Sequence, residues 1–148
     1  METREFFQKD LHDIIKVIDD VVNCINTRGD NDDDIVKQLL EVHEKTSVPV
    51  VLDTHHFTFN SNDLVFSDAF TQTIQTWGNT KPLQHISNTE VGMESGTFTE
   101  KRAHSAYIQY VPPLQLEAAR ANTIDIDVEA KMKNLALLKM RKDYDIAV

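Results

Sequence analysis

Hydrophobic positions along the chain fall into blocks with two different periods. In residues 3–26 apolar side chains recur at Phe6, Phe7, Leu11, Ile14, Ile15, Ile18, Val21, Val22 and Ile25. Gaps of three and four put them on one stripe of a long amphipathic helix. A polar break follows at residues 27–34, TRGDNDDD, punctuated by Gly29. Its aspartates read as a solvated loop ending in a helix N-cap, with Asp30 reaching a metal as the sharper alternative. Residues 33–45 return to the helical period, with Ile35, Val36, Leu39, Leu40 and Val42 turned inward.

The period then changes. Val48, Pro49, Val50, Val51 and Leu52 run without alternation into Asp53, Thr54, His55 and His56. A short β-branched run of this kind predicts a strand over 48–53, buried on both faces as in a parallel sheet. Residues 60–63 make a turn, and Ser67 caps a helix over 68–77 that buries Ala69, Phe70, Ile74 and Trp77, with Gly78 ending it. Residues 81–87, KPLQHIS, form a second strand with His85 near its end. A long loop over 88–101 holds Gly92 and Gly96, and residues 99–111 carry Arg102, His104 and Tyr107 before Pro112 and Pro113. A short helix over 114–121 leads to a third strand over 124–129, where Ile and Val alternate with Asp and end on Glu129. A last helix over 131–142 packs Met132, Leu135, Leu138 and Met140. Helices alternating with strands predict an α/β fold with a parallel sheet and right-handed crossovers.

Composition narrows this picture. The 148 residues suffice for one domain and its core. A complete eight-unit barrel takes ~200 residues or more. With 26% charged and 41% hydrophobic residues, the chain reads as soluble and globular. No apolar run approaches the ~18 residues of a membrane span. The N-terminus, METREFFQKD, lacks the basic-then-apolar pattern of a signal peptide. The lone Cys24 reads as a small buried hydrophobe and fits a reducing intracellular compartment, cytoplasmic or nuclear. His12 and His43 read as surface histidines. The net charge of -9 argues against a nucleic-acid partner unless divalent ions neutralise part of it.

The chemistry lies at the strand ends. Asp53 with His56, then His85, then Glu129 each end a strand, and His104 follows the long loop on the same side. C-terminal strand ends of (β/α) proteins converge on one face, so two carboxylates and three imidazoles from four segments can meet. Each residue also has an ordinary reading. Asp53 can cap a turn, His85 can be a satisfied core histidine, and His104 beside Arg102 can be a surface residue. His56 is favoured over His55 as the ligand, with His55 packed behind it, if the chain turns after the strand. Glu129 is the hardest to explain structurally, because a buried carboxylate needs a partner. Mixed imidazole and carboxylate donors suit Mn or Zn. Several such ions can activate water and clamp a phosphodiester without a Ser or Cys nucleophile.

Four segments in order, VPVVLDTHHFTFN (48–60), PLQHISN (82–88), KRAHSAYI (101–108) and IDIDVEAK (124–131), resemble the C-terminal part of the UV damage endonuclease family. The resemblance covers about residues 30–140 and implies a partial (β/α) TIM barrel with a multi-metal, Mn-dependent site, preceded by a long N-terminal helix. It implies incision of damaged double-stranded DNA on the 5′ side of UV photoproducts, opening an excision repair route. It makes Asp53, His56, His85, His104 and Glu129 metal ligands, Glu129 and His104 the catalytic pair, and Arg102 and Lys131 the DNA contacts. Mn is the implied metal, Zn the alternative, with more than one ion. Leu83 stands where the family often has lysine, and Ala106 where it often has aspartate. Residues 1–29 show no counterpart of the family's first barrel strands. About half a barrel then remains, which needs a complementary N-terminal half, a second copy, or its own N-terminal helix as cover. Two other readings stay open. One is a metal-dependent sugar isomerase or epimerase on the same barrel, and the other an inert remnant.

Overall fold

The computed structural model describes residues 35–59, 61 and 64–146. The helix expected over 3–26, His12, Cys24 and the 27–34 loop with Asp30 lie outside them, as does most of the turn at 60–63.

The helical period of the first described segment gives α1, Ile35–Thr46, with Val36 buried and Leu39, Leu40 and Val42 half-buried against the core. The strand expected over 48–53 is much shorter: only Leu52–Asp53 pairs, as β1. Val48 is exposed, so the run is not buried on both faces. The reason is that Val50 finds its hydrogen bonds elsewhere. Its N–H donates to Thr76 Oγ1 at 2.8 Å, and its carbonyl accepts from Trp77 Nε1 at 2.9 Å. A backbone satisfied in this way needs no ladder partner.

A single turn, α2 (Thr54–Phe57), follows β1 directly. Helix α3 spans Phe66–Gln75 and buries Ala69, Phe70 and Thr73, with Ile74 and Trp77 half-buried. It does not start at Ser67. Val65 occupies the cap position, and its carbonyl already accepts from Asp68 and Ala69. The first turn therefore closes before Ser67 can cap it. Gly78 takes a positive φ of 55° past the helix end, where residues with a Cβ are strained. Strand β2 is Leu83–Ile86, α4 is Phe98–Lys101, α5 is Pro113–Arg120, β3 is Asp125–Val128 and α6 is Asn134–Tyr144. Helix α4 is closed by a capping box between Thr97 and Glu100, and α5 starts on proline, whose missing N–H is harmless there.

The inward face of α6 differs from expectation in part. Met140 is buried as expected and Ala136 joins it, whereas Leu135 and Leu138 are 49% and 59% exposed and Met132 is exposed too. Residues 131–133 form a turn in which Lys133 has φ 52°. The helix restarts after it with a new phase, and positions 136, 140 and 144, four apart, face the core.

The three strands form a parallel sheet in the order β1-β2-β3. Leu52, Ile86 and Ile124 are buried within apolar clusters, and Ile126 and Val128 pack partly against them. One cluster gathers Val36, Leu52, Phe57, Ala69, Phe70 and Ile124. The other gathers Ile86, Ile108, Val111, Ala130, Ala136 and Met140, and Ile126 touches both. Alternate strand positions, Asp53, His85, Asp125 and Asp127, are turned to the opposite, polar face. Among the described residues, no helix is long and apolar enough to cross a membrane.

Candidate metal centre

Register fixes the first part of the site. Asp53 sits beside His85 on β2, and His85 sits beside Asp127 on β3. Glu129 follows β3, with its N–H donating to the Ile86 carbonyl at 2.9 Å, so the strand direction is held one step past the ladder. Asp53, His85 and Glu129 each offer a donor atom, and these atoms all lie within 4.8 Å of one another. Glu129 Oε1 is 3.2 Å from His85 Nδ1, and Asp53 Oδ2 is 3.9 Å from the same nitrogen. Two carboxylates and one imidazole nitrogen turned toward a common point suit a divalent cation.

The other two expected ligands flank this trio. His56 Nε2 is 4.0 Å from Asp53 Oδ2, and His104 Nε2 is 3.7 Å from Glu129 Oε2. The turn required to bring His56 beside Asp53 is α2, and Asp53 itself makes that turn. Its Oδ1 accepts from the N–H groups of His55 and His56, both at 2.9 Å, which caps the helix and leaves Oδ2 for the site. The cap and the oxygen turned toward His85 therefore belong to the same carboxylate.

His104 is placed by the loop that precedes it. Thr89 bridges to His104, Glu90 N–H donates to the Ala103 carbonyl, and Ser105 N–H donates to the Asn88 carbonyl. The exit from β3 is tied to the same strip, because Lys131 and Met132 donate to the Ser105 and Ala106 carbonyls. Those bonds hold Glu129 against His104.

His55 is buried behind the site. Its ring packs edge-on to Phe59 at 5.0 Å and to His104 at 5.7 Å, and Nε2 lies 3.3 Å from the Arg102 carbonyl. Burial pushes its pKa below the ordinary histidine value, opposed in part by that backbone hydrogen bond.

The two basic residues behave differently. Arg102 is exposed at the mouth, with a guanidinium nitrogen 3.4 Å from His56 Nδ1 and its carbon 5.3 Å from the Phe98 ring centre. Lys131 is held by Glu90, Nζ to Oε2 2.7 Å, and that bond lowers the Glu90 pKa. The acidic partner of Lys131 and the aromatic partner of Arg102 were not anticipated from sequence. Nor was Asp127, whose Oδ2 is 4.0 Å from His85 Nε2. Its signal was present in IDIDVE: strict alternation puts residues 125, 127 and 129 on one face.

A family model described as UV-endonuclease UvdE matches residues 2–147, so the match extends through residues 2–29 as well. The UV DNA damage endonuclease of Bacillus cereus (strain G9842) is 30% identical over 119 residues, covering 75% of this chain and 35% of that protein. The UV DNA damage endonuclease of Bacillus anthracis is 30% identical over 107 residues, covering 69% of this chain and 32% of that protein. The chain thus spans about a third of the length of these relatives. The crystal structure of SacUVDE superposes with a TM-score of 0.55 at 26% identity, over 76% of this chain and 37% of SacUVDE.

Proposed function

The chain belongs to the UV-endonuclease UvdE family, and from that premise we propose that it acts in DNA repair as a metal-dependent endonuclease. In this reading residues 30–148 form the C-terminal part of a (β/α) TIM barrel, and the phosphodiester 5′ to a UV photoproduct is hydrolysed at a site holding more than one ion. The observation that carries the reading is the convergence of Asp53, His85 and Glu129, flanked by His56 and His104, at one end of three parallel strands. The family assignment does not favour the sugar isomerase or epimerase alternative.

Asp53, His85 and Glu129 would hold an ion between them, and His56 and His104 would extend the donor set to either side. Mn suits these oxygen and nitrogen donors, and Zn is the alternative. Bound divalent ions supply Lewis acidity toward phosphoryl oxygens and lower the pKa of water. The chain's own groups do the rest. Glu129 and His104 face each other, Oε2 to Nε2 3.7 Å, and in this reading form the catalytic pair beside the ion. Arg102 offers a guanidinium to a backbone phosphate at the mouth, steadied on Phe98. Lys131 becomes available to phosphate when Glu90 yields it. The net charge of -9 is compatible with this, since cations at the site supply the local positive field. A repair endonuclease works where DNA is, so the proposed setting is intracellular.

The test is nicking of UV-irradiated against unirradiated supercoiled plasmid, with Mn²⁺ or with chelator, using Glu129→Gln as the control. Nicking that requires UV, Mn²⁺ and Glu129 is the expected result. Folded protein that binds no Mn²⁺ and nicks neither plasmid overturns the reading for this chain. Nicking restored only by a complementary N-terminal half assigns the activity to the assembled barrel.

A further inference from the structure

The imidazole of His85 has two nitrogens, and only one of them faces the trio. Nδ1 points between Glu129 Oε1 at 3.2 Å and Asp53 Oδ2 at 3.9 Å. Nε2 points the other way, to Asp127 Oδ2 at 4.0 Å. The sheet register puts the three side chains in one row, because Asp53, His85 and Asp127 are Cα partners on three neighbouring strands. An open cleft beside the site is lined by His104, Asp127, Glu129, Lys131 and Lys133, so Asp127 lies on the same face as the ligands. The neighbouring acid on β3, Asp125, is occupied differently, with Lys81 Nζ at 2.6 Å.

We propose that Asp127 is a positioning residue: its carboxylate accepts the Nε2 proton of His85 and so turns Nδ1 toward a divalent ion held by Asp53 and Glu129. The proposal rests on the metal-site reading above. A histidine that ligates through one nitrogen is neutral and carries its proton on the other. A carboxylate on that second nitrogen fixes the tautomer, stops the ring from turning and raises the basicity of the ligating nitrogen. Asp127 is 63% exposed, so its side chain is free to rotate and close 4.0 Å to hydrogen-bond length. The ring of His85 separates Asp127 from Asp53 and Glu129, with Nε2 toward the first and Nδ1 toward the other two.

The experiment is a Mn²⁺ titration of the full chain, followed by the electron paramagnetic resonance of free Mn²⁺. The variants are Asp127→Asn, Asp127→Glu, Asp125→Asn and Glu129→Gln. Circular dichroism melts of the metal-free proteins check folding. Asp127→Asn is expected to weaken Mn²⁺ binding about 10- to 100-fold, the range seen when the outer partner of a ligating histidine is lost. The number of ions bound stays the same, and Asp127→Glu restores most of the affinity. Asp125→Asn removes the same charge from the same strand face and is expected to stay within about 3-fold of the parent, since an exposed charge acts weakly at that range. Equal effects of the two asparagine variants overturn the proposal, and so does loss of one whole ion from Asp127→Asn, which makes the residue a ligand. If Glu129→Gln abolishes binding while Asp127→Asn does not alter it, only the positioning role falls. If Glu129→Gln binds as the parent does, the metal-site reading falls with it.

Discussion

Asp53 uses its two oxygens for two purposes, and the two can be separated. Oδ1 caps α2 through His55 and His56, and Oδ2 faces the site. Asparagine caps helices about as well as aspartate but is a much poorer metal ligand. Asp53→Asn is therefore expected to melt within about 0.5 kcal/mol of the parent in chelator and to lose Mn²⁺ binding. Asp53→Ala is expected to lose the ion and also about 1 kcal/mol of stability. Paired melts and titrations check both. His55 gives a pH signature at the same scale. Its folded pKa lies below the ordinary value of 6.5, chiefly through burial. Below about that pH the unfolded chain binds the proton first, so stability falls as pH drops toward the folded pKa and is fully present above the unfolded one. In chelator, the parent is expected to lose stability below about pH 6.5 more steeply than His55→Gln, read from urea midpoints. The side chains that sequence exposed most clearly were those at strand ends. His85 and Glu129 could be found there because a polar residue closing an apolar run has few reasons to be present. Asp127 escaped notice because its exposed, alternating position on β3 looks like any solvated strand face.

Elements were legible where the period was long and hidden where tertiary hydrogen bonds decided. Helix α1 emerged within a residue or two, since its stripe is complete. Strand β1 did not, because Thr76 and Trp77 take the backbone of Val50 that a ladder would otherwise use, a pairing across 26 and 27 residues. Helix α6 forms where its period predicts and buries Met140 as expected, but Leu135 and Leu138 face outward. Its sequence NLALLKM offers leucines on more than one side, and the turn at Lys133 selects the Ala136 and Met140 side. That choice is testable. Met140→Ala is expected to cost about 2–5 kcal/mol, whereas Leu138→Ala, at an exposed position, is expected to stay within about 0.5 kcal/mol. Denaturant midpoints for the two variants decide it, and equal losses place Leu138 in the core beside Met140.

At the scale of the whole molecule, the donors of the site lie 76 residues apart in sequence, from Asp53 to Glu129, and come together only through the sheet. An ion bound there stabilises the folded form alone. At a free Mn²⁺ concentration 100-fold above the dissociation constant, the expected gain is about 2.7 kcal/mol. It is read as a rise in melting temperature that chelator reverses and Glu129→Gln abolishes. Among the described residues each outer strand of the three-stranded sheet, β1 and β3, pairs on one side only, and such an edge can accept a further strand. The family match over residues 2–147 and the third of the relatives' length that it represents meet here. The fold class could be read from alternation of helix and strand. The extent of the sheet could not, because closure of a barrel is a property of strands counted together and no local pattern encodes it.

The chain contains one tryptophan, Trp77, and its indole N–H is tied to the carbonyl of Val50, three positions before Asp53. Its fluorescence is thus an intrinsic optical gauge of whether the segment leading into Asp53 is docked. Emission from this single indole reports the lifting of that segment without any label, and a stopped-flow mixing experiment with Mn²⁺ would show whether added metal changes its docking.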